Sequence, residues 1–106
     1  MIGTPGQVEW AERLKRQADA EFDRVVKAFQ AVAETHTGPE KMEIGTIIEI
    51  VEQQRYEAMA NERAGYFIRN WQEPASQVRT LMAADARYTV IQERRANRRL
   101  AMKESE

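Results

Sequence analysis

Helix-breaking residues are so sparse in this sequence that they limit the chain to a few long helices. Beyond Gly6, glycine and proline occur only at Gly38, Pro39, Gly45, Gly65 and Pro74. The stretches between these positions are rich in Ala, Glu, Arg and Gln, which favour helix. A chain of 106 residues is long enough for one hydrophobic core but too short for two domains. We therefore expect a single all-α domain over residues 1–106.

The first helix has a clear start and a clear end in the sequence. Thr4 and Gln7 form the T-x-x-Q version of a capping box, with Pro5 at the first helical position. Apolar residues then recur every three or four positions, which is the spacing of one buried helix face. These residues are Val8, Ala11, Leu14, Ala18, Phe22, Val25, Phe29 and Val32. With a Gly-Pro pair beginning at Gly38, the pattern predicts a helix over about residues 5–36.

Two further helices are predicted from the same kinds of signal. Thr46 and Glu49 form a second capping box, which places the second helix at about residues 46–72. Pro74 then opens a third helix at about residues 74–103. Three helices with short connections have antiparallel neighbours, so we expect an antiparallel three-helix bundle. This topology predicts one apolar cluster of Trp10, Phe67, Trp71 and Val78, and another of Phe29, Val32, Ile47, Ile48 and Val90.

No combination of residues typical of a catalytic or metal site is found in the sequence. Zinc ligation by Cys and His is excluded because the chain has no cysteine and one histidine, His36. His36 lies beside a helix end, where the helix dipole favours it without any catalytic role. Glu49 and Glu52 share a helix face and have the chemistry to hold a hard cation or to act as acid and base, but a solvated surface is the preferred interpretation. We expect a protein that is not an enzyme and has no cofactor or metal.

The net charge of −1 conceals two blocks of opposite sign. Residues 87–103 hold one acidic side chain, Glu93, and six basic ones, namely Arg87, Arg94, Arg95, Arg98, Arg99 and Lys103. Residues 34–62 hold two basic side chains and seven acidic ones, namely Glu34, Glu40, Glu43, Glu49, Glu52, Glu57 and Glu62. We take the candidate partner-binding residues from these blocks: Glu40, Glu43, Glu49, Glu52, Arg94, Arg95, Arg98 and Arg99.

Three interpretations of the charged blocks remain open. Antiparallel second and third helices would bring Arg98 level with Glu49 and Arg95 level with Glu52, so the preferred interpretation is internal pairing. Exposed pairs of this kind contribute only about 0–1 kcal/mol each. The alternatives are that the arginines bind an acidic protein surface or the phosphates of a nucleic acid. No aromatic residue is interleaved among the arginines, which argues against base stacking on single strands.

The expected location and assembly follow from the absence of other signals. The sequence begins with no apolar segment of the signal-peptide kind, and no apolar run is long enough to span a membrane. Lack of cysteine favours a reducing compartment, so we expect a cytoplasmic protein without membrane contact. The stripe from Ala18 to Val32 would suit a coiled-coil-like homodimer, although burial in the chain's own core is the preferred interpretation. The protein is therefore expected to be a monomer or a homodimer.

The start of the chain resembles that of many small bacterial, phage and plasmid proteins. Its residues Thr4-x-x-Gln7-Val8-x-Trp10-Ala11-Glu12-x-Leu14-Lys15 match the pattern T-x-x-Q-[IV]-x-W-A-E-x-[IL]-[KR]. In length, helical content and acidic face the chain is also similar to small anti-CRISPR proteins of phages that infect proteobacteria, in particular those directed at type I systems. Because these inhibitors share no common site, the resemblance transfers no functional residue to this chain.

The resemblance implies a non-enzymatic phage or mobile-element protein that inhibits a type I CRISPR-Cas complex of the bacterial host. Inhibition would follow from binding a Cas protein in the host cytoplasm, with the acidic residues 40–62 acting as a mimic of DNA. Two alternatives stand beside this expectation. One is a nucleic-acid-binding accessory protein that uses the arginine cluster, and the other is an oligomeric structural or assembly protein.

Overall fold

The computed structural model describes residues 1–104, and within them the chain forms five α-helices. The helices are α1 (Pro5–Glu34), α2 (Gly38–Met59), α3 (Ala64–Asn70), α4 (Pro74–Ala84) and α5 (Ala86–Glu104). No strand is present in this part of the chain, and one isolated parallel β-bridge joins Ile2 to Arg63. The all-α class is confirmed. The three-helix bundle is not, because the expected second and third helices are each interrupted once.

Helix α1 begins with the capping box that the sequence predicts. The backbone N–H of Gln7 donates to Thr4 Oγ1 at 3.3 Å, and the backbone N–H of Thr4 donates to Gln7 Oε1 at 3.0 Å. The helix ends at Glu34, two residues earlier than expected. Its buried face consists of Ala11, Leu14, Ala18, Phe22 and Val26. The apolar stripe is therefore largely covered by the chain's own core.

The start of the second helix was placed incorrectly by the sequence argument. Helix α2 begins at Gly38, and Thr46 lies inside it, with its hydroxyl donating to the carbonyl of Met42 at 3.2 Å. Gly38 has a φ of 62°, a conformation that glycine adopts without strain. Pro39 follows in the first turn, where a proline is favoured at a helix start. The Gly-Pro pair that was expected to end α1 thus starts α2, and the connection is limited to residues 35–37.

A break after Met59 divides the expected second helix into α2 and α3. In the break, the side chain of Asn61 accepts a hydrogen bond from the backbone N–H of Arg63 at 3.0 Å. The N-terminal residues fill the gap, since Ile2 donates to the carbonyl of Glu62 at 2.7 Å and accepts from the backbone N–H of Ala64 at 2.9 Å. This local alternative to the helix hydrogen bonds explains why the chain turns here without a glycine or a proline.

Asp85 divides the expected third helix into α4 and α5. Its backbone is extended, and its carboxylate accepts hydrogen bonds from the backbone N–H of Arg87 at 2.9 Å and from the Arg87 side chain. Aspartate is a favoured residue at helix starts because it satisfies such N–H groups. These contacts with Arg87 also hold the pKa of the Asp85 carboxyl below its usual value.

The predicted apolar clusters are correct in their central residues and wrong at their edges. Phe67, Trp71 and Val78 are buried together in the core, but Trp10 is 40% exposed. In the second set Ile47 is buried and Phe29 and Ile48 are partly buried, whereas Val32 and Val90 are 41% and 43% exposed. Helix α5 packs against α2 and α4 and has few contacts with α1, so it does not cover the end of α1 that carries Val32.

The molecule is a rod of 61 × 22 × 17 Å with two different halves. In the packed half, around Phe22, Phe67 and Trp71, α1 packs against α2 and α3. In the charged half, around Glu43 and Arg98, α5 lies along the first part of α2. None of the helices in the described range combines the length and the apolarity needed to cross a membrane.

Candidate functional site

A partly buried ion pair joins α2 to α5 in the charged half. Glu43 is only 8% exposed and is the one buried charged residue in the described part of the chain. Arg98 binds both carboxylate oxygens of Glu43 through its two terminal nitrogens, with Nη1 donating to Oε2 at 3.2 Å. The hydrogen bonds from Arg98 hold the pKa of the Glu43 carboxyl below its usual value, with smaller contributions from the charges of Arg94 and Arg95. Burial opposes this shift.

The pairing register differs from the one that the sequence suggested. Arg98 pairs with Glu43, and not with Glu49, so the register is displaced by about two helical turns. The displacement arises because α3 and α4 intervene, and α5 begins beside Gln53, which accepts from the Arg87 side chain at 2.7 Å. The predicted pair of Arg95 with Glu52 is absent within residues 1–104. The prediction that the two charged blocks pair internally is therefore correct for one contact, Arg98 with Glu43, but the predicted alignment of α5 along α2 was wrong.

The other arginines of the cluster are not neutralised in this way. Arg94 and Arg99 are exposed and Arg95 is half-buried. Among the residues from Met1 to Glu104, none of the three forms an ion pair within 4 Å. Their charge is available to an external group.

The acidic block does not form one exposed face. Glu43 is buried against Arg98, while Glu52 is exposed and lies 3.7 Å from Arg55 of its own helix. Arg55 also contacts Asp19 of α1 at 2.8 Å, so this charge group serves the α1–α2 contact. Glu49 is exposed on the side of α2 nearer to Arg87. No three His, Asp or Glu side chains of the described chain are grouped so that they could hold a metal ion.

Two grooves run along either side of the Glu43–Arg98 pair. We call the first the His36 groove; it has a volume of about 460 Å³ and is lined by His36, Glu40, Ile44, Gln92, Arg95 and Arg99. We call the second the Met42 groove; it has a volume of about 470 Å³ and is lined by Pro39, Met42, Thr46, Arg87, Val90 and Arg94. Glu43 and Arg98 line both grooves. The four arginines predicted as partner-binding are thus divided between two surfaces.

His36 has a structural position at the end of α1. Its Nδ1 lies 2.8 Å from the carbonyl oxygen of Val32, and its Nε2 lies 3.8 Å from a carboxylate oxygen of Glu40. This agrees with the interpretation of His36 as a residue that stabilises a helix end. Its ring forms one wall of the His36 groove.

Exposed apolar residues in the charged half were not among the predicted site residues. Met42 is 76% exposed and Val90 is 43% exposed, and both line the Met42 groove beside Arg94. Met42 was overlooked because residues 37–46 were predicted to form a connection with no more than one helical turn, at Glu40–Glu43, which is too short to define a helix face. The sequence did contain a signal for the α5 side of the Met42 groove, because Val90 and Arg94 are four residues apart and therefore share one helix face.

Comparison of the chain with protein-family models, with curated proteins and with solved structures finds no match in any of the three.

Proposed function

We propose that this is a non-enzymatic binding protein whose helix α5 docks on an acidic surface of a partner protein. The observation that carries the proposal is the set of three arginines, Arg94, Arg95 and Arg99, which have no ion-pair partner within residues 1–104. An exposed arginine can make two parallel hydrogen bonds to one carboxylate, which gives orientation as well as affinity.

Exposed apolar residues beside the arginines favour a protein over a nucleic acid. Met42 is 76% exposed, Leu100 is 58% exposed and Val90 is 43% exposed. Protein interfaces are enriched in Met and Arg, whereas contacts to a phosphate backbone need positive charge and no apolar surface. The combination of arginine with apolar side chains therefore supports an acidic protein partner.

The acidic residues are less suited to serve as a mimic of DNA. Burial of Glu43 against Arg98 removes one carboxylate from solvent, and Glu52 lies beside Arg55. If the partner is a Cas subunit, as the resemblance to anti-CRISPR proteins implies, the proposal is that α5 meets an acidic face of that subunit. Inhibition would then result from blocking a protein docking site and not from occupying a nucleic-acid channel.

The proposal is tested by affinity capture from nuclease-treated host lysate with two matched variants. The first combines Arg94→Glu, Arg95→Glu and Arg99→Glu on α5. The control combines Arg13→Glu and Arg16→Glu, which are exposed positions on α1. We expect a partner that the wild type and the control retain and the α5 variant loses, and that binds the wild type again after purification. Capture of the same partners by all three proteins would contradict the proposal.

A second measurement separates a protein partner from a nucleic acid. Binding of the wild type to a DNA duplex is followed by fluorescence anisotropy at several salt concentrations. A nucleic-acid-binding α5 gives a logarithm of affinity that falls linearly with the logarithm of salt concentration, and the α5 variant abolishes that binding. We expect only weak binding of the duplex, with no difference between the α5 variant and the α1 control.

A further inference from the structure

We propose that the Met42 groove is the site that receives the partner, and that its ligand is a short amphipathic helix with an apolar stripe flanked by carboxylates. This inference rests on the proposed function, because it specifies where the acidic partner binds and what shape it presents. It differs from the proposed function in excluding the His36 groove, which the same helix α5 also borders.

The walls of the groove have the shape that a helix requires. Helix α2 contributes Pro39, Met42 and Thr46, and α5 contributes Arg87, Val90 and Arg94. In both walls the residues are spaced by three and then four positions, so each wall is a ridge about two turns long, or about 10 Å. A helix docked between two such ridges inserts side chains with the same spacing, which is the common geometry of a helix in a groove.

The groove offers apolar surface on both walls. Met42 of α2 is 76% exposed, Val90 of α5 is 43% exposed, and the buried Ile91 lies between them. Methionine is flexible and fits partners of varied shape. The Thr46 hydroxyl already donates to the carbonyl of Met42 at 3.2 Å, so it needs no partner group to satisfy its donor. An apolar stripe on the ligand can therefore bury these residues without leaving this hydroxyl unpaired.

The charge of the groove selects an acidic ligand. Glu43 is the one carboxylate that lines it within the described chain, and Arg98 already neutralises that carboxylate. Arg87 binds Asp85 at 2.9 Å at one end of the groove. Arg94 is left without an ion-pair partner among residues 1–104, so the α5 wall favours a ligand with a carboxylate opposite it.

A second copy of this chain is a weaker candidate for the same groove. Its exposed Tyr56, which is 78% exposed, could fill the space beside Met42. An antiparallel two-fold contact between α2 helices that joins Met42 to Tyr56 is centred on Glu49, midway between them in sequence. It would bring two Glu49 carboxylates together, and like charges in contact oppose association. A separate acidic protein avoids this repulsion.

The test uses the methyl groups of methionine as reporters in solution NMR, because Met42 lines one groove and Met102 lines the other. The probe is a synthetic helical peptide of about 14 residues, or about 20 Å, with leucine every third or fourth position and glutamate beside it. We expect its addition to shift the Met42 methyl signal and leave that of Met102 unchanged. A peptide with lysine in place of glutamate should produce no shift.

Two matched variants of α5 assign the binding to one groove. Arg94→Glu, in the Met42 groove, should weaken peptide binding about tenfold, because it replaces attraction by repulsion at a partly exposed charge pair. Arg95→Glu, in the His36 groove, should change the affinity by less than about threefold. A third variant, Val90→Asp, should abolish binding while leaving every arginine in place. Thermal melts of all three confirm that they fold.

Each contrary result has a defined meaning. Shifts of Met102 with loss of binding in Arg95→Glu would place the ligand in the His36 groove, so the inference would be wrong while the proposed function stands. Shifts of Met42 that depend on protein concentration without peptide would identify a second copy as the occupant and also overturn it. Absence of any shift up to about 1 mM peptide would sink the inference, whatever the lysate experiment shows.

Discussion

The two halves of the rod are held together by different forces. In the packed half, Phe22, Phe67 and Trp71 are fully buried. The ring centroids of Phe22 and Trp71 are 5.2 Å apart, and the two ring planes are inclined at 55°. In the charged half, α5 buries only Ile91 among its residues 86–104, all of which are described. The inward stripe of α5 continues after Ile91 with Gln92, Arg95 and Arg98, which are half-buried and polar or charged.

This difference indicates which half provides stability and which provides a binding surface. Burial of a large apolar side chain contributes about 1.5–3 kcal/mol, whereas an ion pair at a surface contributes about 0–1 kcal/mol. Regions with few buried apolar contacts open locally at low free energy, and binding surfaces are commonly drawn from them. We therefore expect changes in the packed half to affect folding and changes in the charged half to affect binding.

The largest effect is expected from Phe22→Ala in the packed half. Removing a fully buried ring beside Trp71 leaves a cavity and should lower the free energy of unfolding by about 3–5 kcal/mol. Chemical denaturation monitored by circular dichroism measures this change. Val32→Ala on the same helix, at a position 41% exposed, is the control and should cost less than about 1 kcal/mol. Similar losses of stability in the two variants would show that burial of Phe22 is not what stabilises the packed half.

A smaller effect is expected from Ile91→Ala, which removes the buried anchor of α5. Because α5 is covered on one side only, we expect a loss of about 2 kcal/mol, at the low end for a buried isoleucine. Hydrogen exchange should show faster exchange at the amides of residues 92–104 in the variant, with little change in α1. Equal acceleration of exchange in both helices would show that the two halves unfold as one unit.

Glu43→Gln tests the ion pair and its dependence on pH. The folded-state pKa of Glu43 lies below its usual value, so its contribution to stability is present above about pH 4.3 and is lost as the pH falls through the lowered pKa. At pH 7 the variant should melt a few degrees below the wild type, and the difference should shrink as the pH falls below about 4.3. Thermal melts across this range provide the measurement. A constant difference at every pH would show that the charge of Glu43 is irrelevant.

The smallest effect on folding is expected from combining Arg95→Glu with Arg99→Glu. Neither arginine has an ion-pair partner among the residues described, and only the weak attraction of Arg95 for Glu43 is lost, so the free energy of unfolding should change by less than about 1 kcal/mol. The same denaturation experiment measures it. A loss of several kcal/mol would mean that these residues hold α5 in place, and would remove the separation between the stabilising half and the binding half.

Local signals predicted the fold well where one motif acted without a competitor. The box of Thr4 and Gln7 and the start at Pro74 were correct. The similar box at Thr46 was wrong because Gly38 and Pro39 provide an earlier helix start. Local sequence patterns alone do not show which of two competing start signals the chain uses. The breaks near Asn61 and at Asp85 were missed, since hydrogen bonds of polar side chains to nearby backbone groups produce them, without glycine or proline.

Errors in the helix boundaries carried over into the candidate site. Two extra breaks displaced α5 along α2, so the pairing partner of Arg98 was predicted in the wrong turn. Of the eight candidate residues, Glu43 and Arg98 contact each other, Glu40, Arg95 and Arg99 line the His36 groove, and Arg94 lines the Met42 groove. Glu49 and Glu52 lie outside both grooves. A cluster of charged residues is visible in a sequence. Which groove each charged side chain lines depends on how α5 is aligned along α2, and the sequence does not show this alignment.

The short connection at residues 35–37 bears on the order in which the chain folds. Contact between α1 and α2 closes a loop of three residues, whereas Glu43 and Arg98 are 55 residues apart in sequence. Contacts between residues that are close in sequence form quickly, and long loops close more slowly and at a greater entropic cost. We therefore expect the α1–α2 hairpin to assemble first and α5 to dock on it afterwards.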